Sequence, residues 1–178
     1  MKRLLLLLTG LLTLGLAAPP ASASTITFDF TGTPAFTSGL GVSVSATFTT
    51  LSGEVLISIV NNQANPTSVI QNLSDLSFLL STGQNSGSIS SSSGVPRTVA
   101  ANGSFTDSGA VSTGWALSTN DSQLKLDVLG TVIGPAHTLI GPPGAGNTYD
   151  NANGSMPVMG RIIPSLLGLS TLISLCWV

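Results

Sequence analysis

Few side chains in this 178-residue chain could take part in acid, base or nucleophilic chemistry. His137 is the single histidine, so a Ser-His-Asp hydrolase would need it as the base that deprotonates a serine. It stands in the stretch PAHTL, and no G-x-S-x-G turn presents a serine to it. We therefore expect His137 to be structural, and a hydrolase is the third-ranked function.

Two carboxylates, Asp121 and Asp127, flank one predicted strand and are the candidates for glycoside hydrolysis. Their spacing of six residues places them about 20 Å apart in an unbroken strand, at ~3.3 Å per residue. Glycosidases hold their paired carboxyl groups ~5 to 10 Å apart. Surface charge that aids solubility is the better interpretation, and we expect no enzyme activity.

Oxygen ligands for Ca²⁺ occur in two short stretches. YDNANGS supplies Asp150, Asn151 and Asn153, and TNDS supplies Asn120 and Asp121. Neither stretch matches the D-x-[DN]-x-[DN]-G loop with its distal glutamate, and these residues are also the ordinary residues of turns. We expect no cofactor, with Ca²⁺ as the weaker alternative.

Sugar binding would need an exposed aromatic ring, and the chain offers Trp115 and Tyr149 for that role. Trp115 lies in the alternating stretch GWALST, so we expect it in the core. Tyr149 lies in the polar stretch GPPGAGNTYD and is the better candidate. The weak ligand-contact candidates are therefore Tyr149, Asp150 and His137, and no residue is assigned a catalytic, cofactor or metal role.

The elements that must position these residues are strands, because apolar and polar residues alternate with a period of two. ITFDF places Ile26, Phe28 and Phe30 on one face, which we expect to turn inward. VSVSATFTT and EVLISIVN lie on either side of Ser52-Gly53 and predict a hairpin. Further strands are predicted in LSDLSFLLST, TVAANGSFTD, GWALST and SQLKLDVLG. The predicted fold class is all-β, an antiparallel β-sandwich of jelly-roll type.

Three segments are predicted to lie between the strands. NNQANPTS is a loop in which Pro66 holds Asn65 extended. STGQNSGSISSSSG is a flexible surface loop, because it has too little apolar surface to offset its ordering entropy. TVIGPAHTLIGPPGAGNTYDNANGS is a long ordered connection, where a binding site would be expected if there is one.

The charge pattern excludes one class of partner. Charged residues make up 7% of the chain, so hydroxyl and amide groups must provide solubility. Between residues 24 and 155, Arg97 and Lys125 stand against seven carboxylates. Nucleic acid is a poor partner for such a surface, because phosphate binding needs clustered cations.

The N-terminus predicts export through the Sec pathway. Lys2 and Arg3 precede an apolar run over residues 4–16, and Ala21-Ser22-Ala23 forms an A-x-A site, so we expect cleavage after Ala23. The alternative is an uncleaved membrane anchor. The single cysteine lies near the C-terminus, so the chain cannot form an internal disulfide.

TNDSQLKLDVLGT, followed by GPAHTLIGPPGAGNTYDNANGS, resembles exported bacterial proteins of the PEP-CTERM, exosortase-sorted kind. The resemblance implies a signal peptide, a β-domain rich in Ser, Thr, Asn and Gly, and a location outside the cell or at its surface. Extracellular polysaccharide and cell-surface components are the partners it suggests. It carries over no catalytic or binding residue.

The chain departs from that resemblance at Met156. Restoring one base in the codon of residue 156 turns SMPVMG into SIAGNG and, with chosen synonyms, gives an alternating FNLNLPV strand at residues 170–176. We hypothesise that residues 156–178 are out-of-frame sequence that replaces the native last strand and sorting signal. The alternatives are a C-terminal membrane helix over residues 162–178 and a GPI-type signal.

These observations predict a signal peptide over residues 1–23, a β-sandwich domain over 24–155 and an anomalous apolar tail over 156–178. The expected function is that of a non-catalytic exported protein of the cell surface or extracellular matrix. A secreted glycan-binding module acting through the GPPGAGNTYD loop is the alternative. Membrane association is expected only if the tail is a genuine anchor.

Overall fold

The computed structural model describes residues 23–120, 122–127, 137–150 and 164–176. Over these residues it contains strands and two short 3-10 helices, Ala35–Thr37 and Val69–Gln71, and no α-helix. The strands are β1 (Ser24–Gly32), β2 (Val42–Leu51), β3 (Glu54–Asn61), β4 (Asp75–Phe78), β5 (Ser88–Val99), β6 (Phe105–Asp107), β7 (Ala116–Asn120), β8 (Gln123–Asp127), β9 (Leu139–Ile140) and β10 (Pro164–Cys176).

The described strands form two sheets. The larger sheet has the order β1-β2-β3-β10-β5-β6, with β9 also paired to β10. The smaller sheet has the order β4-β8-β7. Neighbouring strands are antiparallel except β9 and β10, which run parallel. The all-β class and its antiparallel pairing are therefore confirmed, while the sandwich and jelly-roll descriptions stay predictions.

One apolar core draws residues from both sheets. Val55, Ile57 and Ile59 of β3 meet Leu126 of β8 and the ring of Trp115, and all five are buried. Partly buried apolar residues of β2, β4, β5 and β7 pack around them. Burying one such side chain contributes about 1.5 to 3 kcal/mol relative to leaving it exposed. The prediction that Trp115 belongs to the core is confirmed.

The hairpin of β2 and β3 forms as its alternation predicts. Ser52 and Gly53 connect the strands, Leu51 pairs with Glu54, and Gly53 has a φ of 73°. That left-handed conformation is available to glycine without a steric penalty, which suits a two-residue hairpin loop. The inward-facing Ala46 is 4% exposed and Ile57 is fully buried, so the inward face is also correct.

The expectation for β1 is wrong in one respect. Ile26, Phe28 and Phe30 do share a face, but they are 54%, 62% and 55% exposed. They lie opposite Phe48, Ala46 and Val44 of β2, on the face that carries the core. The three-stranded smaller sheet packs on the larger sheet but leaves these three side chains of β1 largely uncovered.

The segment SISSSSG is not a loop, and that prediction is wrong. It belongs to β5, in which residues 88–93 pair with β10, while β6 pairs only with residues 97–99. Backbone hydrogen bonds of a ladder do not depend on side-chain type, so pairing with β10 can order a serine-rich segment. Ile89 adds apolar contact with the core.

Asn65 is also not extended. Its φ is 48°, in the left-handed region that Asn tolerates better than most residues. The backbone N–H of Asn65 donates to the carbonyl of Pro142 over 2.8 Å. Tertiary hydrogen bonding therefore overrides the bias imposed by Pro66.

Part of the apolar tail forms a strand inside the larger sheet. Residues 171–176 of β10 pair with β3, residues 164–167 and 172–176 pair with β5, and residues 166–167 pair with β9. The membrane-helix alternative is therefore not what the structure shows for residues 164–176, and no helix in the described part of the chain is long and apolar enough to cross a membrane. The signal peptide and residues 151–163 and 177–178 lie outside the described residues.

Candidate functional site

The β5–β6 hairpin positions a buried polar cluster. Residues 100–104 connect the two strands, and Gly103 turns the chain with a φ of 83°. Its carbonyl accepts a 2.9 Å hydrogen bond from the backbone N–H of Tyr149. A Cβ at Gly103 would collide with the carbonyl of Tyr149, so glycine is what lets these two segments approach.

Arg97 and Asp107 face each other across this hairpin. Their Cα atoms are register partners, and the guanidinium donates to both carboxylate oxygens over 2.7 Å each, from Nε and from Nη2. This two-bond geometry is the strong form of a charge-assisted hydrogen bond. Arg97 is only 4% exposed, whereas the side chain of Asp107 is 34% exposed.

Tyr149 completes the cluster from the loop that precedes residue 151. Its hydroxyl accepts a 2.9 Å hydrogen bond from Nη1 of Arg97 and donates one of 2.9 Å to the carbonyl of Gly141. Its ring meets Phe105 edge-on at 5.8 Å, and the guanidinium of Arg97 lies 3.7 Å from the centre of the Phe105 ring. We call Arg97, Phe105, Asp107, Gly141 and Tyr149 the Arg97 cluster.

Electrostatics in the cluster favour a neutral phenol beside a permanent cation. Burial raises the pKa of Tyr149, and this effect exceeds the opposing influence of Arg97. Burial lowers the pKa of Arg97, but its hydrogen bonds to Asp107 and Tyr149 outweigh burial, so the net shift is upward. A phenol held protonated at neutral pH is a poor nucleophile and a good hydrogen-bond donor. The cluster therefore ties the loop at Gly141 to the hairpin.

The burial of Tyr149 overturns its expected role as an exposed sugar contact. The residue is 1% exposed, and its ring packs in a second apolar cluster with Val99, Ile140 and Phe105. Stacking on a sugar requires an accessible ring face. Sequence reasoning placed Tyr149 on the surface because its neighbours are polar, yet the ring turns inward.

Asp150 is exposed and is held by one neighbour. Its carboxylate accepts a 2.7 Å hydrogen bond from the side-chain amide of Asn65, and its backbone N–H donates to the Asn65 amide oxygen over 3.0 Å. This reciprocal pair fastens two loops together. Among the described residues, no three His, Cys, Asp or Glu side chains are grouped to hold a metal ion. Of the predicted calcium ligands, Asp121, Asn151 and Asn153 lie outside the description.

His137 contributes to the fold through both its ring and its backbone. The ring Nδ1 lies 2.8 Å from the carbonyl of Thr113, which requires Nδ1 to carry a proton and donate it. The carbonyl of His137 accepts a 3.0 Å hydrogen bond from the indole N–H of Trp115. These two bonds fix the start of the long connection against the strand region around Trp115.

Asp127, the described member of the pair weighed for glycoside hydrolysis, lies in a surface ion pair. Its carboxylate is 2.9 Å from Nζ of Lys125, and this hydrogen bond raises the pKa of the lysine. Lys125 and Asp127 are two residues apart in β8 and therefore share a face. A partly exposed ion pair of this kind contributes little to stability.

A second buried polar group, missed in the sequence, organises the loops beside β3. Asn61 is 1% exposed, and its amide donates to the carbonyls of Gln71 and Leu139 over 2.8 Å and 2.9 Å. The side-chain oxygen of Gln71 accepts from the backbone N–H groups of Thr67 and Ser68, and its amide donates to Gly41. Buried amides with this many partners are costly to replace, because each substitution leaves several donors or acceptors without a hydrogen-bond partner.

The three predicted contact residues do not converge on one site. Tyr149 lies in the Arg97 cluster, Asp150 is bound to Asn65, and His137 is bound to Thr113. The sequence held one clue to the cluster that was missed. The Asn-Gly pair in TVAANGSFTD indicates a hairpin, but a two-residue Asn-Gly loop would set Arg97 opposite Ser108, whereas the observed loop spans residues 101–103 and sets it opposite Asp107.

The reactive side chains in the described part of the chain thus connect the β5–β6 hairpin, the loops and the short strand β9 to one another. No protein-family model, curated protein or solved structure matches the chain.

Proposed function

We propose that this chain is a non-catalytic exported β-domain of the cell surface or extracellular matrix, of the PEP-CTERM type. The proposal rests on one observation, which is that the reactive side chains form hydrogen bonds within the fold. The guanidinium of Arg97 donates to Asp107 and Tyr149, and the phenol of Tyr149 donates to Gly141. Residues committed to internal bonds of this kind hold a scaffold together.

The outer face of the β1–β2 pair supports a place in a hydrated matrix. Thr25, Thr27 and Thr31 bond across the strands to Thr49, Thr47 and Ser43, hydroxyl to hydroxyl, over 2.9 to 3.1 Å. Such a face is polar without net charge apart from Asp29, which accepts from Ser45. Hydroxyl ladders of this kind can exchange hydrogen bonds with water or with the hydroxyls of a polysaccharide.

The glycan-binding alternative loses the residue on which it depended, because the ring of Tyr149 is buried. The hydrolase alternative is not favoured by the position of His137, whose Nδ1 is engaged with a backbone carbonyl. Hydrolysis of an ester, glycoside or peptide probe that disappears in His137→Ala would nevertheless promote the hydrolase.

Export is the part of the proposal that can be tested directly. The full gene is expressed in a Gram-negative host, and the protein is located by fractionation and its N-terminus determined by mass spectrometry. We expect an extracytoplasmic product that begins at Ser24. Ala23→Arg is the matched control, since a bulky cation at the cleavage site should leave the precursor uncut. A wild-type chain that stays uncut in the cytoplasm would overturn the proposal.

A further inference from the structure

The inner face of β1 carries an apolar row that nothing described in this chain covers. Ile26, Phe28 and Phe30 are each more than half exposed although they point to the core side of the sheet. Ile26 and Phe28 of this row line a groove of about 510 Å³ between the larger sheet and β4, with Phe48, Phe78 and Leu79 among its other walls. Leu79 is 66% exposed at its rim. Continuous apolar surface of this kind is typical of an interaction site.

The backbone of β1 is open as well. Among the described strands β1 pairs with β2 alone, and it is the longest of the edge strands, with nine residues against three in β6, four in β4 and five in β7. Exposed edges are normally protected by lysine, proline or a bulge. The sequence STITFDFTG contains neither lysine nor proline, and its register with β2 is unbroken.

The sequence of β1 is complementary to itself in one antiparallel register. With Phe28 opposite Phe28 of a second copy, all nine residues of the strand find a partner. Ile26 then meets Phe30 on the apolar face, and Thr27 meets Asp29 on the polar face. A threonine hydroxyl can donate to a carboxylate, so this register gains a hydrogen bond and separates the two aspartates. Shifting the register by one residue in each copy would place the two Asp29 side chains opposite each other, and their charge repulsion would destabilise the pairing.

We propose that β1 is the contact strand of a two-fold symmetric homodimer of this chain. The axis is perpendicular to the larger sheet at Phe28, so both copies keep their inner faces on the same side. The two grooves then face each other across the axis, and the two apolar rows become one. An isologous contact of this kind closes on itself and leaves no free β1 edge.

The exposed area suits a dimer that dissociates on dilution. A fully exposed phenylalanine side chain has an accessible area of ~200 Å², so the exposed parts of Ile26, Phe28 and Phe30 provide about 300 Å² per copy. A standard interface buries ~800 Å² per partner. The paired backbones and the groove walls add to this area. The dimer does not depend on the proposed function, and export could fail while dimerisation succeeds.

Sedimentation velocity over a concentration series of the purified protein tests the dimer. We expect the wild type to shift from monomer to dimer as its concentration rises, and Phe28→Lys to stay monomeric, because it places two cations at the axis. Phe28 is 62% exposed, so the variant should keep its fold, which circular dichroism checks. A wild type that remains monomeric at its highest soluble concentration, or a Phe28→Lys variant that dimerises equally well, would overturn the proposal.

Thr27 offers a matched pair of variants that tests the register. Thr27→Lys should raise the dimer affinity by about tenfold by facing Asp29 of the other copy, and Thr27→Asp should lower it by a similar factor. Both variants remove the threonine hydroxyl that bonds to Thr47, so their difference reports mainly on the charge facing Asp29 of the other copy. Equal dimerisation of the two variants would contradict this register. A monomeric wild type that binds a soluble polysaccharide, with binding lost in Phe28→Lys, would assign the row to sugar instead and overturn the dimer.

Discussion

At the residue scale, the Arg97 cluster shows an asymmetry between its two charges. The guanidinium is almost fully buried, while the carboxylate of Asp107 keeps about a third of its surface in water. Losing the carboxylate would leave a buried cation without its counter-charge, whereas losing the guanidinium would leave an anion that water can reach. Breaking a buried ion pair is costly mainly through the charge that is left behind.

This asymmetry predicts that Asp107→Asn destabilises the protein more than Arg97→Met does. We expect a loss of about 3 kcal/mol in the free energy of unfolding for Asp107→Asn, and about 1 kcal/mol for Arg97→Met, whose side chain can pack on Phe105. Urea denaturation followed by circular dichroism measures both. Equal losses, or a larger loss for Arg97→Met, would show that the pair is not buried as unevenly as described.

At the scale of elements, the loop after β9 lies directly on the loop after β3. A Cβ at Gly141 would overlap the backbone of Gln63, and backbone atoms cannot yield as a flexible side chain can. The carbonyl of Gly141 also accepts the hydroxyl of Tyr149, so any shift of this loop disturbs the Arg97 cluster. The short strand β9 is thus positioned by a close backbone contact.

Gly141→Ala should therefore destabilise the protein by about 3 kcal/mol, at the upper end of what overpacking costs. Gly109→Ala is the matched control, because a Cβ there meets nothing within 4 Å. We expect Gly109→Ala to change the melting temperature little or to raise it slightly through lower unfolded-state entropy. Thermal melts of the two variants side by side check this, and similar effects in both would contradict the described contact.

The elements also show which features the sequence could reveal. Alternation identified β2 and β3 and the inward face of Ile57 and Ile59, because one buried face forces a period of two. Alternation alone could not reveal that β1 extends past the smaller sheet and leaves Phe28 exposed. It also missed the strand over SISSSSG, whose order comes from ladder hydrogen bonds rather than from its side chains.

The candidate site was harder to predict than the strands. The polar neighbours of Tyr149 suggested exposure, but the direction of one ring depends on a distant arginine, 52 residues earlier in the chain. Arg97 was the more informative residue, since it is one of only two cations between residues 24 and 155 and a cation needs a counter-charge when it is buried. The hairpin could have been found from its Asn-Gly pair, but the pairing of Arg97 with Asp107 depends on a three-residue loop over residues 101–103.

At the scale of the whole molecule, β10 joins the two halves of the larger sheet. It lies between β3 and β5, so that β1-β2-β3 and β5-β6 are connected through it. In the reading-frame hypothesis, the recovered FNLNLPV strand would occupy residues 170–176, which overlap the residues that pair with β3. The chain as written and the chain with FNLNLPV would therefore both place a strand beside β3, in the centre of the larger sheet.

Deleting residues 164–178 should separate the halves of the sheet and open the edges of β3 and β5. We expect the shortened chain to be largely insoluble, because unprotected strand edges promote aggregation. The soluble fraction after expression measures this against the full chain. A chain carrying FNLNLPV at residues 170–176 should be at least as soluble as the chain as written, and a soluble, cooperatively folding deletion variant would refute the central role of β10.

The central claim is that the reactive side chains of this protein hold its fold together, and the phenol of Tyr149 tests it most directly. Tyr149 is the only tyrosine, so ultraviolet absorbance of the phenolate reports on it alone. Burial raises its pKa above the ordinary value of 10.0, so the folded state keeps the proton more tightly than the unfolded state. The stability that this provides is complete below pH about 10 and is lost as the pH rises through the folded pKa.

We therefore predict that in an alkaline titration the phenolate absorbance of the wild type appears above pH 10, together with the loss of folded circular dichroism. Tyr149→Phe should be less stable at neutral pH by about 1 to 3 kcal/mol, through the unpaired Arg97 and Gly141 groups, and should lack this phenol-linked alkaline dependence. A phenol that titrates at its ordinary pKa while the fold stays intact would contradict the account.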